Sequence, residues 1–186
     1  MRADEKSRQE SMILDLLEGS FGDVRLGNSM NLEQAHMYLF FEDAEDIEAA
    51  ASDVYSGSYR EVPIEHVEEF PCALNGLDVA GFRFFIPLCI RWFILRHEAT
   101  ESFADERLLY SLNLHEEVVI ELADRQDELH SFKKERFLAF DFAQSVAIAR
   151  FLEYASRYAV VSEFRETAAQ ALETYWSRFL VDDPVN

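Results

Sequence analysis

The chain has 186 residues, 49% of them apolar and 13% aromatic, with sixteen Phe. That supply of apolar side chains builds a core without disulfides or metal, which excludes a disordered chain and a small cross-linked scaffold, and the length suits a single domain spanning 1–186 with frayed ends at 1–3 and 181–186. Seventeen basic residues stand against thirty-six acidic ones, a net charge of -19, which argues against wrapping nucleic acid or settling on anionic lipid and favours a basic partner.

In chain order, Met12, Ile13, Leu16 and Leu17 recur at helical spacing, so a first amphipathic helix is expected over Asp4–Glu18, stopped by Gly19 and Gly22. The charged start offers neither the apolar run of an export signal nor the basic character of a mitochondrial presequence. Asn31 is placed as N-cap of a second helix through Leu32, Ala35, Met37, Tyr38 and Leu39. An acidic stretch, Glu42 to Glu48, follows as helix into Ala49–Ala51. A turn at Ser56-Gly57-Ser58 ends it, Pro63 opens a short helix over Ile64–Phe70, and Pro71 closes that helix.

Residues 73–86 read as two apolar segments around Asn75, Gly76 and Asp78, consistent with a small β-hairpin. Pro87 is then placed as the first residue of a helix through Leu88, Ile90, Arg91, Phe93, Ile94 and Leu95, apolar nearly all round and so central to the core. Arg83, Arg91 and Pro87 interrupt this most apolar region and rule it out as a membrane span. Between Ser102 and Arg136, Leu108, Leu109 and Leu112 form one apolar group and Val118, Val119, Ile120 and Leu122 another, and periodicity does not separate helix from strand. Asp141 caps a long helix to Tyr158, and Ser162 caps a last one carrying Phe164, Ala168, Ala171, Leu172, Tyr175 and Phe179. The fold class expected is mainly α in one compact domain, with the hairpin as an α+β alternative.

The segment Gly81-Phe82-Arg83-Phe84-Phe85-Ile86-Pro87 resembles the aromatic Gly-Phe-Arg-Phe-Tyr-Leu-Pro signature of an uncharacterised bacterial protein family, and Phe140 to Gln144 followed by Phe151-Leu152-Glu153-Tyr154 resembles its C-terminal helix signature. The order of elements from about Leu32 to Tyr158 is similar too. The resemblance implies a bacterial, cytoplasmic protein, and the family brings no established activity. In physical terms the first segment is expected to be a strand running into a helix at Pro87, with Arg83 among buried aromatics and in need of a carboxylate or a route to water.

Chemical motifs are sparse. Cys72 and Cys89 lie in apolar surroundings with no second pair, as free buried thiols in a reducing compartment do. None of the five His falls in a His-Glu-x-x-His pattern. His97-Glu98 with Glu101, and His115-Glu116-Glu117, set carboxylates beside an imidazole without a third ligand, so neither metal nor cofactor is expected. The Glu42–Glu48 stretch lacks the glycine and terminal glutamate of a calcium loop, and no phosphate loop, dinucleotide fingerprint or Gly-x-Ser-x-Gly is present.

Charge is distributed unevenly. From Asn31 to Phe70 eleven carboxylates face Arg60 alone, a net -10, whereas the remaining 146 residues carry -9. A field of one sign steers a basic partner. The function this suggests is a non-enzymatic immunity or antitoxin-like inhibitor, covering the basic site of a toxin or effector protein with Glu42, Asp43, Glu45, Asp46, Glu48, Glu65, Glu68 and Glu69. Two rivals are a small hydrolase or transferase with a His/carboxylate site around His97, Glu98 or His115, and an acidic mimic of nucleic acid.

Overall fold

Asp78 decides how the middle of the chain folds. Its carboxylate accepts the Gly81 N–H at 2.7 Å and its carbonyl accepts the Phe82 N–H at 2.9 Å, so Asp78 serves as a helix cap where a hairpin would have turned. In the computed structural model, which describes residues 2–40, 43–50, 55, 57–96, 103–114 and 126–180, the helix so started runs from Val79 to Arg96. The hairpin expected over 73–86 is thus replaced by a short helix, Ala73–Gly76, and the first turns of this long one, and the strand expected at 81–86 is helix as well. Pro87 lies inside the helix and does not open it. An interior proline costs about 3 kcal/mol. Twelve of the eighteen residues are buried, including Phe82, Phe84, Phe85, Trp92 and Phe93, and each large apolar side chain is worth about 1.5–3 kcal/mol on burial, so packing outweighs the proline. A segment apolar on every side has no period to distinguish strand from buried helix, which is why the sequence misleads here.

The elements in chain order are α1 (Arg2–Phe21), α2 (Leu32–Leu39), α3 (Ala44–Ala49), α4 (His66–Glu69), α5 (Ala73–Gly76), α6 (Val79–Arg96), α7 (Phe103–Ser111), α8 (Gln126–Leu138), α9 (Phe142–Tyr158) and α10 (Ser162–Thr174), with 3-10 turns at Tyr59–Glu61 and Trp176–Phe179. The protein is mainly α-helical, as expected, and no strand occurs among the described residues. α7 and α8 settle the ambiguous stretch as helix where it is described, while the Val118–Leu122 group lies outside the described residues. Backbone proximity groups the chain into two units, residues 1–20 with 112–186, and residues 21–111.

In the first unit, α9 begins on a full capping box. Asp141 accepts the Gln144 N–H at 2.9 Å and Gln144 returns a bond from the Asp141 N–H at 3.3 Å. The buried Gln144 also donates to the Ser20 carbonyl at 3.0 Å, and Tyr154 Oη, about three turns along, donates to Glu10 at 2.6 Å. α1 and α9 therefore run antiparallel. α1 passes through Gly19 and ends at Phe21, just before Gly22, and Ile13, Leu17 and Phe21 are all fully buried on one stripe. α10 packs on α9. Its N-cap is Val161, without a side-chain bond, and Ser162 is its first helical residue, one position off the expected cap. The helix also stops short of Phe179, since Tyr175 leaves helical geometry at φ -140 and ψ -46 and a tighter turn follows.

In the second unit, Asn31 caps α2 as expected, and does so through a box with Gln34. Pro63 contributes its carbonyl to the His66 N–H at 3.2 Å, and the regular α4 begins only at His66. α2 crosses α5 where Gly76 meets Ala35. A Cβ on Gly76 would stand 2.4 Å from the Ala35 carbonyl oxygen and 3.0 Å from Leu39 Cγ, and the backbone oxygen has nowhere to go. Gly76→Ala should therefore force the helices apart and lower stability by about 1–3 kcal/mol in a denaturant titration. A loss below about 0.5 kcal/mol would show that this crossing is not tight.

Candidate functional site

The carboxylates singled out for partner binding divide into two groups. On α3, Asp43, Glu45, Asp46 and Glu48 are all exposed, and the helix has no buried residue. No ion pair among the described residues involves them. The first turn of α3 carries Glu45 and Asp46 with Asp43 as N-cap, where negative charge is favoured by about 0.3–1 kcal/mol per group through the helix dipole. Local helix chemistry and the surface field thus ask for the same residues.

The second group is partly neutralised within the chain. Arg96, the last residue of α6, reaches Glu65 at 2.7 Å and Glu68 at 3.7 Å, and Trp92 Nε1 donates to Glu68 at 2.9 Å. Glu65 and Glu68 tie α4 to α6, and of these three only Glu69 is exposed with no ion pair among the described residues. Nothing in the linear sequence pairs Arg96 with carboxylates some thirty positions earlier, so this correction needed the fold. Glu42 lies outside the described residues, as do His97, Glu98, Glu101 and His115, on which the hydrolase alternative rests.

Two side chains sharpen the acidic face. Asn31 Nδ2 donates to the Ala50 carbonyl at 2.9 Å and Gln34 Nε2 to the Ile47 carbonyl at 3.1 Å. The start of α2 is thereby tied to the end of α3. The two helices run antiparallel, and the acidic first turn of α3 comes back beside the last turn of α2. That last turn presents Tyr38, 57% exposed, and is followed by Phe40, 58% exposed, whose ring lies 4.7 Å from that of His36. The periodicity of α2 placed Tyr38 in the same apolar set as Leu32 and Ala35, and the structure leaves it on the surface.

The cysteines and Arg83 are unremarkable chemically. Burial pushes the Cys89 thiol up to about 12, so it is no nucleophile, and Cys72 is half-buried, more open than expected. Arg83 is half-buried on α6 and so has its route to water. Among the described residues no group of three or more His, Cys, Asp or Glu side chains is placed to hold a metal, and no helix is long and apolar enough to cross a membrane.

No curated protein and no solved structure matches the chain. A family model does match, from residue 9 to residue 180, reaching beyond the Leu32–Tyr158 extent of the resemblance seen in the sequence at both ends. It takes in α2 and α3 with their acidic and aromatic side chains, and nearly the whole of both units. The chain accordingly belongs to the family of unknown function DUF6714.

Proposed function

We propose that this is a non-enzymatic bacterial protein of the cytoplasm, an immunity or antitoxin-like inhibitor that covers a basic site on a partner toxin or effector with its acidic surface. The observation that carries the reading is α3. Four carboxylates stand on a helix that buries nothing, inside the 40-residue stretch that holds more than half of the net charge. A helix that contributes nothing to the core and concentrates charge of one sign is suited to steering and docking an oppositely charged partner. The binding surface is narrower than the charge count implied, centred on Asp43, Glu45, Asp46 and Glu48 with Glu69 at its margin, because Arg96 engages Glu65 and Glu68. The aromatic signature around Gly81–Pro87 supports the bacterial origin.

The test is capture of a basic protein from lysate by the full chain at low salt, repeated with the D43N/E45Q/D46N/E48Q variant. The wild type should retain one basic protein, release it as salt rises and abolish its activity at one equivalent, while the variant loses about tenfold or more in affinity. Equal retention by the variant would remove the acidic surface from the function. An unchanged activity of the bound partner would remove inhibition.

A further inference from the structure

We propose that Tyr55 and His66 form a nucleophile–base pair, and that the Tyr55 phenol is a site at which this chain takes an acyl group from an uncharged activated ester. Tyr55 Oη and His66 Nδ1 are 2.8 Å apart, and both residues are half-buried, so the pair is formed and still reached from solvent. With the ring proton on Nε2, the phenol donates to Nδ1, and that nitrogen is placed to take the proton as the oxygen attacks. Two further rings of the same unit hold the pair. Tyr55 stands edge-on to the fully buried Phe85, at 6.4 Å and 82°, and His66 edge-on to Phe70, at 5.9 Å and 84°. An ordinary phenol, with a pKa of about 10, is almost wholly protonated at neutral pH and attacks slowly. A base within hydrogen-bond reach, itself oriented by a third side chain, is what activates a weak hydroxyl nucleophile. The surroundings choose the donor. Glu61, Glu65 and Glu69 flank the pair in the chain and are all exposed, so an anionic phosphoryl or nucleotidyl donor is repelled and an uncharged ester is not. In the step, Tyr55 Oη bonds to the acyl carbon and the bond from that carbon to the leaving phenoxide or alkoxide breaks. The phenol proton passes to His66 Nδ1, and His66 then loses a proton from Nε2 to water. Nothing in this depends on the docking function.

The probe is p-nitrophenyl acetate, incubated with the full chain near neutral pH, with acetylation of each tyrosine followed by peptide mass spectrometry. Tyr55 should be acetylated about tenfold or more faster than Tyr38, although Tyr38 is 57% exposed and Tyr55 only half-buried. In His66→Asn, whose side chain offers the phenol a hydrogen-bonding atom but takes no proton, Tyr55 should fall to the rate of Tyr38 or below while Tyr38 is unchanged. Tyr55→Phe should lose the fast phase of p-nitrophenolate release and keep the slow one. A thermal melt of each variant checks folding, and the comparison of Tyr55 with Tyr38 in the wild type needs no variant. A Tyr55 rate no higher than that of Tyr38 in the wild type, a fast rate that survives His66→Asn in a folded variant, or a stable acetyl group on His66 in place of Tyr55 overturns the inference. Each of those outcomes leaves the acidic docking function as it was.

Discussion

Trp176→Ala should lower stability by about 3–5 kcal/mol, the range for removing a large buried aromatic. Trp176 is fully buried, with its ring centre 4.8 Å from that of Phe137, 4.9 Å from Tyr175 and 6.0 Å from Phe140, so truncation opens a cavity walled by rings that cannot all collapse into it. Its Nε1 also donates to the Leu112 carbonyl at 2.9 Å, and Leu112 is itself buried. The adjoining Asn113 is held by its Nδ2 bond to Gln170 at 2.8 Å and by Lys133 Nζ donating to its carbonyl at 3.0 Å. Trp176→Phe separates the two contributions. It keeps most of the ring packing, deprives a buried carbonyl of its donor, and should cost about 1–3 kcal/mol. A denaturant titration of the three proteins checks both figures, and a cost below 1 kcal/mol for the alanine variant would mean that the 3-10 turn is peripheral to its unit.

Asp105→Asn should do the reverse and stabilise the protein at neutral pH by about 3 kcal/mol. Asp105 sits on α7 at 5% exposure, and its Oδ1 is buried with no hydrogen-bond partner among the described residues. Desolvation raises its pKa from 3.8 to about 7. Below pH 3.8 the carboxyl is protonated in both folded and unfolded chains, and the full stability is present. Between about pH 4 and pH 7 the unfolded chain gives up the proton while the folded chain keeps it, so the unfolded state gains and stability falls as pH rises. Above pH 7 the loss is complete and levels off. The magnitude follows from about 1.4 kcal/mol for each pH unit between the two pKa values, less what the buried amide costs. The gain of the Asn variant over wild type should thus be near zero at pH 4, grow through pH 5–7 and flatten by pH 8. Unfolding free energies measured at those pH values, on both proteins, give the comparison directly. A gain that does not vary with pH would mean that Asp105 ionises normally in the folded state.

The two residues also mark where a linear reading loses its grip. The apolar repeat of the last helix runs through Phe164, Ala168, Ala171, Leu172, Tyr175 and Phe179 and leaves Trp176 out. The backbone leaves helical geometry at Tyr175, and Trp176 in the turn that follows is fully buried. Asp105 has the look of a solvated first-turn acid, since helix N-termini favour carboxylates, and only the packing around α7 removes its water. The acidic site shows the same division. The excess of charge from Asn31 to Phe70 is plain in the composition, but Glu65 and Glu68 are held by Arg96 across about thirty residues, and Tyr38, in the apolar repeat of α2, is left on the surface.

What the sequence by itself determined was local. The N-caps at Asn31 and Asp141, the amphipathic stripes of α1, α9 and α10 and the mainly α class all depend on side chains a few positions apart, whose effect on the backbone is the same in any surroundings. The tertiary structure decided the rest. Whether 73–86 turned back as a hairpin or entered a helix, whether a proline stood at a helix start or inside it, which carboxylates stayed free and which acid lost its solvent were all set by burial and by partners distant in sequence. Those energies, several kcal/mol each, exceed the fractions of a kcal/mol that separate local preferences.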